Sequence, residues 1–380
     1  MKKIAILGST GSVGRNALRV IGAHKGKFKV VGLTANTNAN LLSSQINVFK
    51  PLQAAIEDTA QYAKLKGMTK ERCKIFSRVE GISQIASMKE ADIIIVAISG
   101  SSALIPLIAA IKSKKIIALA NKECIVSAGD IIMKMADKSG AEIIPIDSEH
   151  NSIFQCVAGE DRKSIKKIFL MGTGGPLKNV PHKQFRTLKP RQVLAHPVWK
   201  MGKKITVDSA TMMNKGLEII EASHLFRIPV SKIDVLFHPE AIIHSMVEFN
   251  DGNVMANLFY PDMKMPIFYA LNYPKRQISR INKLDFSKIK KFSFETPDYN
   301  KFPSLRLCYK MAEAGGTYPA VLSSANEEAV SLYLEGKIGF VDIVKLVSKV
   351  LFRHKIKNRP SLQDIIEVDR WAKEETKILC

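Results

Sequence analysis

No stretch of the sequence is apolar for the roughly 20 residues a helix needs to cross a bilayer; the longest apolar runs, Ile93 to Ile98 and Ala103 to Ile111, fit a strand and a core helix. The basic start Met1-Lys2-Lys3 is followed by an apolar segment, Ile4 to Leu7, that breaks at once into glycines, so no signal peptide is expected. A cytoplasmic protein without a membrane partner is the expectation. The five cysteines, Cys73, Cys124, Cys156, Cys308 and Cys380, form neither a C-x-x-C pair nor a dense even framework, which predicts reduced thiols with no catalytic role. Acidic residues are scarce beside basic ones, 35 against 57, for a net charge of +22 that raises the question of nucleic acid. The basic runs Lys163 to Lys167, Lys288 to Lys291 and Lys345 to Lys357 lack the aromatic interleaving of a single-strand platform. Solvated faces and steering of a small anionic substrate are the reading, with no nucleic-acid partner.

What is present is enough apolar residue, 46% of 380, to build a large core and two or three domains. Short β-branched runs alternate with helical spacing over the first 146 residues. Strands are predicted at Ile4 to Leu7, Val30 to Leu33, Asp92 to Ile98, Ile116 to Ala120 and Glu142 to Ile146, giving an α/β fold with a doubly wound, Rossmann-like parallel sheet. Each strand is followed by polar or glycine-rich residues, which places the candidate chemistry at the carboxyl edge of the sheet.

Gly8-Ser9-Thr10-Gly11-Ser12-Val13-Gly14 joins the first strand to a helix, a spacing whose backbone amides can approach a pyrophosphate. The second strand ends at Ala35-Asn36-Thr37-Asn38 without the acid that accepts from ribose hydroxyls in NAD-binding units. NADPH is therefore expected over NADH, with Asn36, Thr37 and Asn38 as neutral donors.

Two acidic clusters follow. Asp147 and Glu149 lie two apart after an apolar strand, so an extended backbone would send both carboxylates to one face and toward one cation. Asn214, Lys215 and Glu218 share one side of a predicted helix, and Glu218 can supply a third carboxylate. Taken singly, a helix N-cap at Asp147 and a surface ion pair at Lys215 and Glu218 are the plainer accounts. The flexible turn after the strand Ile168 to Leu170, Met171-Gly172-Thr173-Gly174-Gly175-Pro176, can wrap an oxyanion with its hydroxyl. Residues 193–203, which include His196, Trp199, Met201 and Gly202, have the make-up of a lid, or of a surface loop anchored by its tryptophan. Gly216 inside a helix predicts close backbone approach. His238 and His244 lie in an apolar stretch, Val235 to Val247, expected to pack against the sheet.

Beyond Asn272 the composition turns to Lys, Ser, Phe and Pro until about Asp298, a linker. Helical spacing then predicts Leu305 to Ala314, Ser324 to Glu335, Val341 to Phe352 and Ser361 to Ile378, capped by Ser304 and Ser361. The organisation expected is a Rossmann-like cofactor domain over 1–146, a second α+β catalytic domain over 147–272, a linker over 273–298 and a C-terminal helical bundle over 299–380.

The segments GSTGSVG at Gly8 to Gly14, ANKE at Ala120 to Glu123, PIDSEHN at Pro145 to Asn151, VDSATMMNKGLE at Val207 to Glu218 and HPEAIIHSMV at His238 to Val247 resemble the 1-deoxy-D-xylulose 5-phosphate reductoisomerase family. The resemblance runs from the first strand into the C-terminal helices. It implies an enzyme that rearranges a phosphorylated ketose and reduces the product with NADPH to 2-C-methyl-D-erythritol 4-phosphate, in non-mevalonate isoprenoid synthesis, as a homodimer. An NADP-dependent dehydrogenase of another phosphorylated carbonyl compound is the alternative. By the resemblance Asp147, Glu149 and Glu218 hold Mg²⁺ or Mn²⁺, for which oxygen ligands suit better than for zinc. Thr10, Gly11, Ser12, Val13, Asn38, Asn121, Glu123 and Gly202 bind NADPH. Lys122, Ser148, His196, Ser209, Asn214 and Lys215 meet substrate, with Thr173, Glu149 and Glu218 beside them; Lys122, Glu149 and His196 are the candidate catalytic groups, and spacing does not assign the proton transfers. Thr173 stands where the family generally has serine, and Asn36 to Asn38 where many members carry a basic residue.

Overall fold

The computed structural model describes residues 1–69, 73–199 and 201–380. In chain order its elements are β1 (Lys2–Leu7), α1 (Ser12–Ala23), β2 (Phe28–Ala35), α2 (Ala39–Phe49), β3 (Gln53–Ile56), α3 (Thr59–Met68), β4 (Lys74–Ser77), α4 (Arg78–Ala86), β5 (Ile93–Val96), α5 (Leu104–Lys112), β6 (Ile116–Leu119), α6 (Lys122–Ser139), β7 (Glu142–Pro145) and α7 (Ser148–Cys156). There follow β8 (Ile165–Gly172), α8 (Pro190–Val193), α9 (Lys203–Thr211), α10 (Met213–Phe226), β9 (Ile233–Phe237), β10 (Ile243–Phe249), β11 (Val254–Leu258), α11 (Lys264–Asn272), α12 (Pro303–Ala314), α13 (Tyr318–Leu334), α14 (Asp342–Arg353) and α15 (Leu362–Ile378). Among the described residues no helix is long and apolar enough to cross a membrane.

The chain divides into two compact units rather than along the expected boundaries. The first comprises Met1–Asn121, Ile132–Asn151 and Asp262–Asn282, and the second Lys122–Ile131, Ser152–Pro261 and Lys283–Cys380. In the first, a seven-stranded parallel sheet runs β4-β3-β2-β1-β5-β6-β7. Its central strands read as continuous apolar runs because helices cover both faces, and Ile4, Ile6, Ile93, Ile94 and Ile95 are fully buried. The five expected strands are all there; β3 and β4 were missed because Gln-Ala-Ala-Ile and Lys-Ile-Phe-Ser carry no β-branched run. Strand order reverses between β1 and β5, which puts the glycine loop after β1 at the switch point. α11 belongs to this unit and not to a second domain: Phe268 packs on His24 of α1, and the Lys2 ammonium donates to the Leu271 carbonyl at 3.0 Å.

In the second unit a four-stranded mixed sheet runs β11-β10-β8-β9, with β8 and β9 parallel and β10 antiparallel to β8 and β11. The stretch Val235 to Val247, expected to pack against a sheet, instead forms part of one, supplying the end of β9 and the start of β10. Its short alternation was too brief to separate a strand from a core segment. The segment expected as a linker pairs with this sheet at one point, where Phe237 N donates to the Glu295 carbonyl at 2.8 Å. The four C-terminal helices form as expected, except that α13 begins six residues earlier, at Tyr318 with Pro319 in its first turn. Ser361 caps α15 with a reciprocal Ser361–Asp364 box. Ser304 does not cap α12: it lies within the helix and donates its hydroxyl to the Thr211 carbonyl, tying α12 to the end of α9.

Candidate active site

The first unit carries the glycine loop expected to meet the cofactor. Gly8 has φ +84° and an added Cβ would lie 2.5 Å from the Ala97 carbonyl oxygen, so β1 can pass β5 this closely only with glycine. Gly14 meets the Gly8 and Ser9 backbone in the same way and brings α1 down onto the loop. Gly11 occupies the N-cap position of α1 with no side-chain cap. Thr10, Gly11, Ser12 and Val13 thus lead into a helix end whose first amides face outward without an internal acceptor. At the end of β2, Asn38 caps α2 by accepting from Leu41 N at 3.0 Å, so one of the three neutral residues there is partly committed to the fold. The Asn121 amide donates to the carbonyls of Ile98 and Gly100, both at 2.8 Å, and so joins the loops that follow β5 and β6.

The acidic cluster in this unit departs from the expected extended geometry. β7 stops at Pro145, and Ser148 opens α7. The Asp147 carbonyl accepts from Asn151 N at 2.8 Å and its carboxylate from Glu149 N at 3.4 Å, the behaviour of a residue at a helix start, where acids are favoured. Asp147 and Glu149 are therefore gathered by a helical turn. The Ser148 hydroxyl donates to Glu149 Oε2 at 2.5 Å.

In the second unit Lys122, Asn214, Lys215 and Glu218 meet near the C-terminal end of β8. Lys122, first residue of α6, donates to Asn214 Oδ1 at 2.7 Å and to Glu218 Oε1 at 3.1 Å. Lys215 donates to Glu218 Oε2 and to the Met171 carbonyl, each at 2.5 Å, and Asn214 also donates to Glu218. Lys122, Lys215 and Glu218 are all buried. Two ammonium groups and an amide thus surround one carboxylate away from bulk water, where their fields are weakly screened. Gly216, one turn into α10, faces α12: a Cβ there would overlap the Cys308 side chain. That is the close approach its place in a helix predicts.

The turn after β8 lies against α9. Gly174 and Gly175 have φ of +83° and +65°, and a Cβ on Gly175 would stand 2.7 Å from the Ser209 carbonyl oxygen, so glycine lets the turn reach Ser209. Thr173 Oγ1 accepts from Gly175 N at 3.2 Å and lies 3.5 Å from His196 Nε2. His196 Nδ1 accepts from the amides of Val198 and Trp199 at 3.2 and 2.9 Å. The ring proton therefore sits on Nε2, facing Thr173. Burial pushes this imidazole down to about 4. Trp199 packs edge-on against His244, which stacks on Phe259. Lys200, in the expected lid segment, lies outside the described residues; Gly202 is the N-cap of α9.

Three residues escaped sequence reasoning. Lys204 lies 2.9 Å from Glu123 Oε1 and 2.8 Å from Asp208 Oδ2, and Asn326 donates to Asp208 Oδ1 at 2.8 Å. Burial raises the Glu123 carboxyl, but the Lys204 ammonium outweighs it and holds Glu123 below its ordinary value. Burial likewise lowers Lys204, and the two carboxylates overcome this and hold it well above the usual lysine range. The i, i+4 spacing of Lys204 and Asp208 was visible; the third partner, 81 residues away, was not.

Known proteins resemble the chain along nearly its whole length. Family models match at residues 4–129 (1-deoxy-D-xylulose 5-phosphate reductoisomerase), 143–226 (its C-terminal domain) and 258–375 (DXP reductoisomerase C-terminal domain). The enzyme of that name from Thermodesulfovibrio yellowstonii is 46% identical over 377 residues, covering 99% of both chains. The chain belongs to the 1-deoxy-D-xylulose 5-phosphate reductoisomerase family. The reductoisomerase of Chlorobium limicola is also 46% identical, over 380 residues and 99% of each chain. Among solved reductoisomerases, that of Zymomonas mobilis in complex with NADPH superposes with a TM-score of 0.93 at 38% identity, covering 100% of this chain and 98% of the other. One in complex with NADPH, fosmidomycin and magnesium gives 0.94 at 36% identity with the same coverage.

Proposed function

We propose that the chain converts 1-deoxy-D-xylulose 5-phosphate to 2-C-methyl-D-erythritol 4-phosphate, by skeletal rearrangement and NADPH-dependent reduction, in the non-mevalonate isoprenoid route. The observation that carries this reading within the chain is the buried convergence of Lys122, Asn214, Lys215 and Glu218, a set suited to an anionic, hydroxyl-rich substrate. Asp147, Glu149 and Glu218 are the carboxylates proposed to hold Mg²⁺ or Mn²⁺; hard oxygen donors fit such ions, and a relative of the same fold carries magnesium. Thr10 to Val13, Asn36, Thr37, Asn38, Asn121, Glu123 and Gly202 are proposed to bind NADPH, and the glycine-built loop with an uncapped helix start fits a pyrophosphate. When bound, these groups supply Lewis acidity and a hydride.

The remaining work falls to the protein's own side chains. Lys215 and Asn214 bind and orient, Lys215 being fixed by the Met171 carbonyl. Ser209, Ser148, Thr173 and His196 supply donors to substrate oxygens. His196 is held neutral with its proton on Nε2, so it donates without adding charge. Lys122 is a candidate proton carrier: its ammonium donates to the Asn214 amide oxygen and the Glu218 carboxylate, and the two N–H groups left after it gives a proton can keep both bonds. Glu149 is the second candidate. A homodimer in the cytoplasm belongs to the same proposal.

The test is NADPH oxidation by the purified chain with 1-deoxy-D-xylulose 5-phosphate in Mg²⁺, in Mn²⁺ and in a chelator, with NADH in a parallel lane. Metal-dependent oxidation is expected. Oxidation that survives the chelator points to a metal-independent dehydrogenase, and no oxidation under any condition sinks the reading. Light scattering that finds a monomer at assay concentrations removes the homodimer.

A further inference from the structure

We propose that Lys204 is a positioning residue of this enzyme, whose ammonium fixes the opening turn of α6 and with it Lys122 and Glu123. The inference rests on the function proposed above, because it concerns the placing of two residues assigned there. Lys204 lies in the first turn of α9, where the helix dipole disfavours a cation, so its place depends on the carboxylates around it. Those are Asp208 one turn on and Glu123 at the start of α6, both buried.

The contacts close a ring within the second unit. Lys122 ties α6 to α10 through Asn214 and Glu218. α10 joins α9 through Met212, a single residue in the left-handed conformation. α9 returns to α6 through Lys204 and Glu123, the neighbour of Lys122. Asn326 of α13 holds Asp208 from outside the ring. α6 departs from helical geometry at Ala128, which sets its first six residues apart from the rest of that helix by a kink. Loss of the Lys204 link would remove the tie between α9 and the opening turn of α6. A misplacement of about 1 Å at a reacting group can lower turnover about 100-fold.

The experiment compares wild type, Lys204→Gln and Lys204→Arg for kcat, for both KM values and for NADPH Kd by fluorescence titration. In Lys204→Gln, kcat is expected to fall at least about tenfold and NADPH Kd to rise about fivefold, with substrate KM within about threefold; Lys204→Arg should recover most of both. Should Lys204→Gln not fold, the double variant Lys204→Gln/Asp208→Asn, which leaves no uncompensated charge on Asp208, is expected to show the same losses. A folded variant with kcat and NADPH Kd both within about twofold of wild type overturns the proposal, as does an arginine variant as impaired as the glutamine one. Wild type inactive on 1-deoxy-D-xylulose 5-phosphate would sink the proposed function instead, and the NADPH titration would still decide whether Lys204 positions Glu123.

Discussion

Lys122 donates to Glu218 Oε1 at 3.1 Å, joining the first residue of α6 to the middle of α10. Lys215 holds the other oxygen of the same carboxylate, so Glu218 is buried between two ammonium groups. Such a carboxylate is placed to act on a cation or a polyhydroxyl substrate. Glu218→Gln is expected to lower kcat by at least about 1,000-fold while NADPH Kd stays within about twofold. Steady-state kinetics and a cofactor titration check this; a parallel collapse of NADPH binding would show that metal and cofactor roles are not separable at this residue.

His196 contributes a pH dependence whose sign follows from its depressed value. Between about 6.5 and 4 the unfolded chain takes up a proton that the folded imidazole refuses, so this contribution to stability is complete above about 6.5 and is lost as pH falls toward 4. Protonation would also forfeit the acceptor role of Nδ1 toward Val198 and Trp199. His196→Gln should therefore show a smaller loss of Tm between pH 7.5 and pH 4.5 than wild type. Identical slopes in thermal melts would count against the neutral, Nε2-protonated ring.

Gly216→Ala sets two effects against each other. Alanine gains about 1 kcal/mol in helix propensity. Overlap with the Cys308 side chain costs about 1 to 3 kcal/mol, so net destabilisation is expected. In a Cys308→Ala background the cost should shrink by at least about 0.5 kcal/mol, read from urea midpoints in a double-mutant cycle. Strict additivity would mean that α10 and α12 do not meet at this pair.

Thr173 presents a hydroxyl at the turn after β8, beside His196. Thr173→Ser is expected to change substrate KM by less than about threefold, whereas Thr173→Ala, which loses the acceptor for Gly175 N and the partner of His196, should raise it about tenfold, the worth of one charge-assisted hydrogen bond. Equal KM values for the two variants would remove the hydroxyl from substrate binding.

The local periods of the sequence determined a great deal. Continuous apolar runs announced five strands of a covered parallel sheet, glycine spacing marked the turn at its switch point, and 3.6-residue spacing located the C-terminal helices. Asn214, Lys215 and Glu218 were legible as one face because a helix repeats within four residues. What tertiary structure alone decided are the pairings between distant elements. Lys204 meets Glu123 across 81 residues, Asp208 meets Asn326 across 118, and Ser304 reaches the end of α9 instead of capping its own helix. It also decided that Asp147 and Glu149 share a helical turn, because carboxylates after a strand can satisfy the first amides of a new helix as readily as they can extend the strand. Periodicity reports which face of an element is apolar; it carries no record of which other face it meets, and the buried charges of this site are held by those meetings.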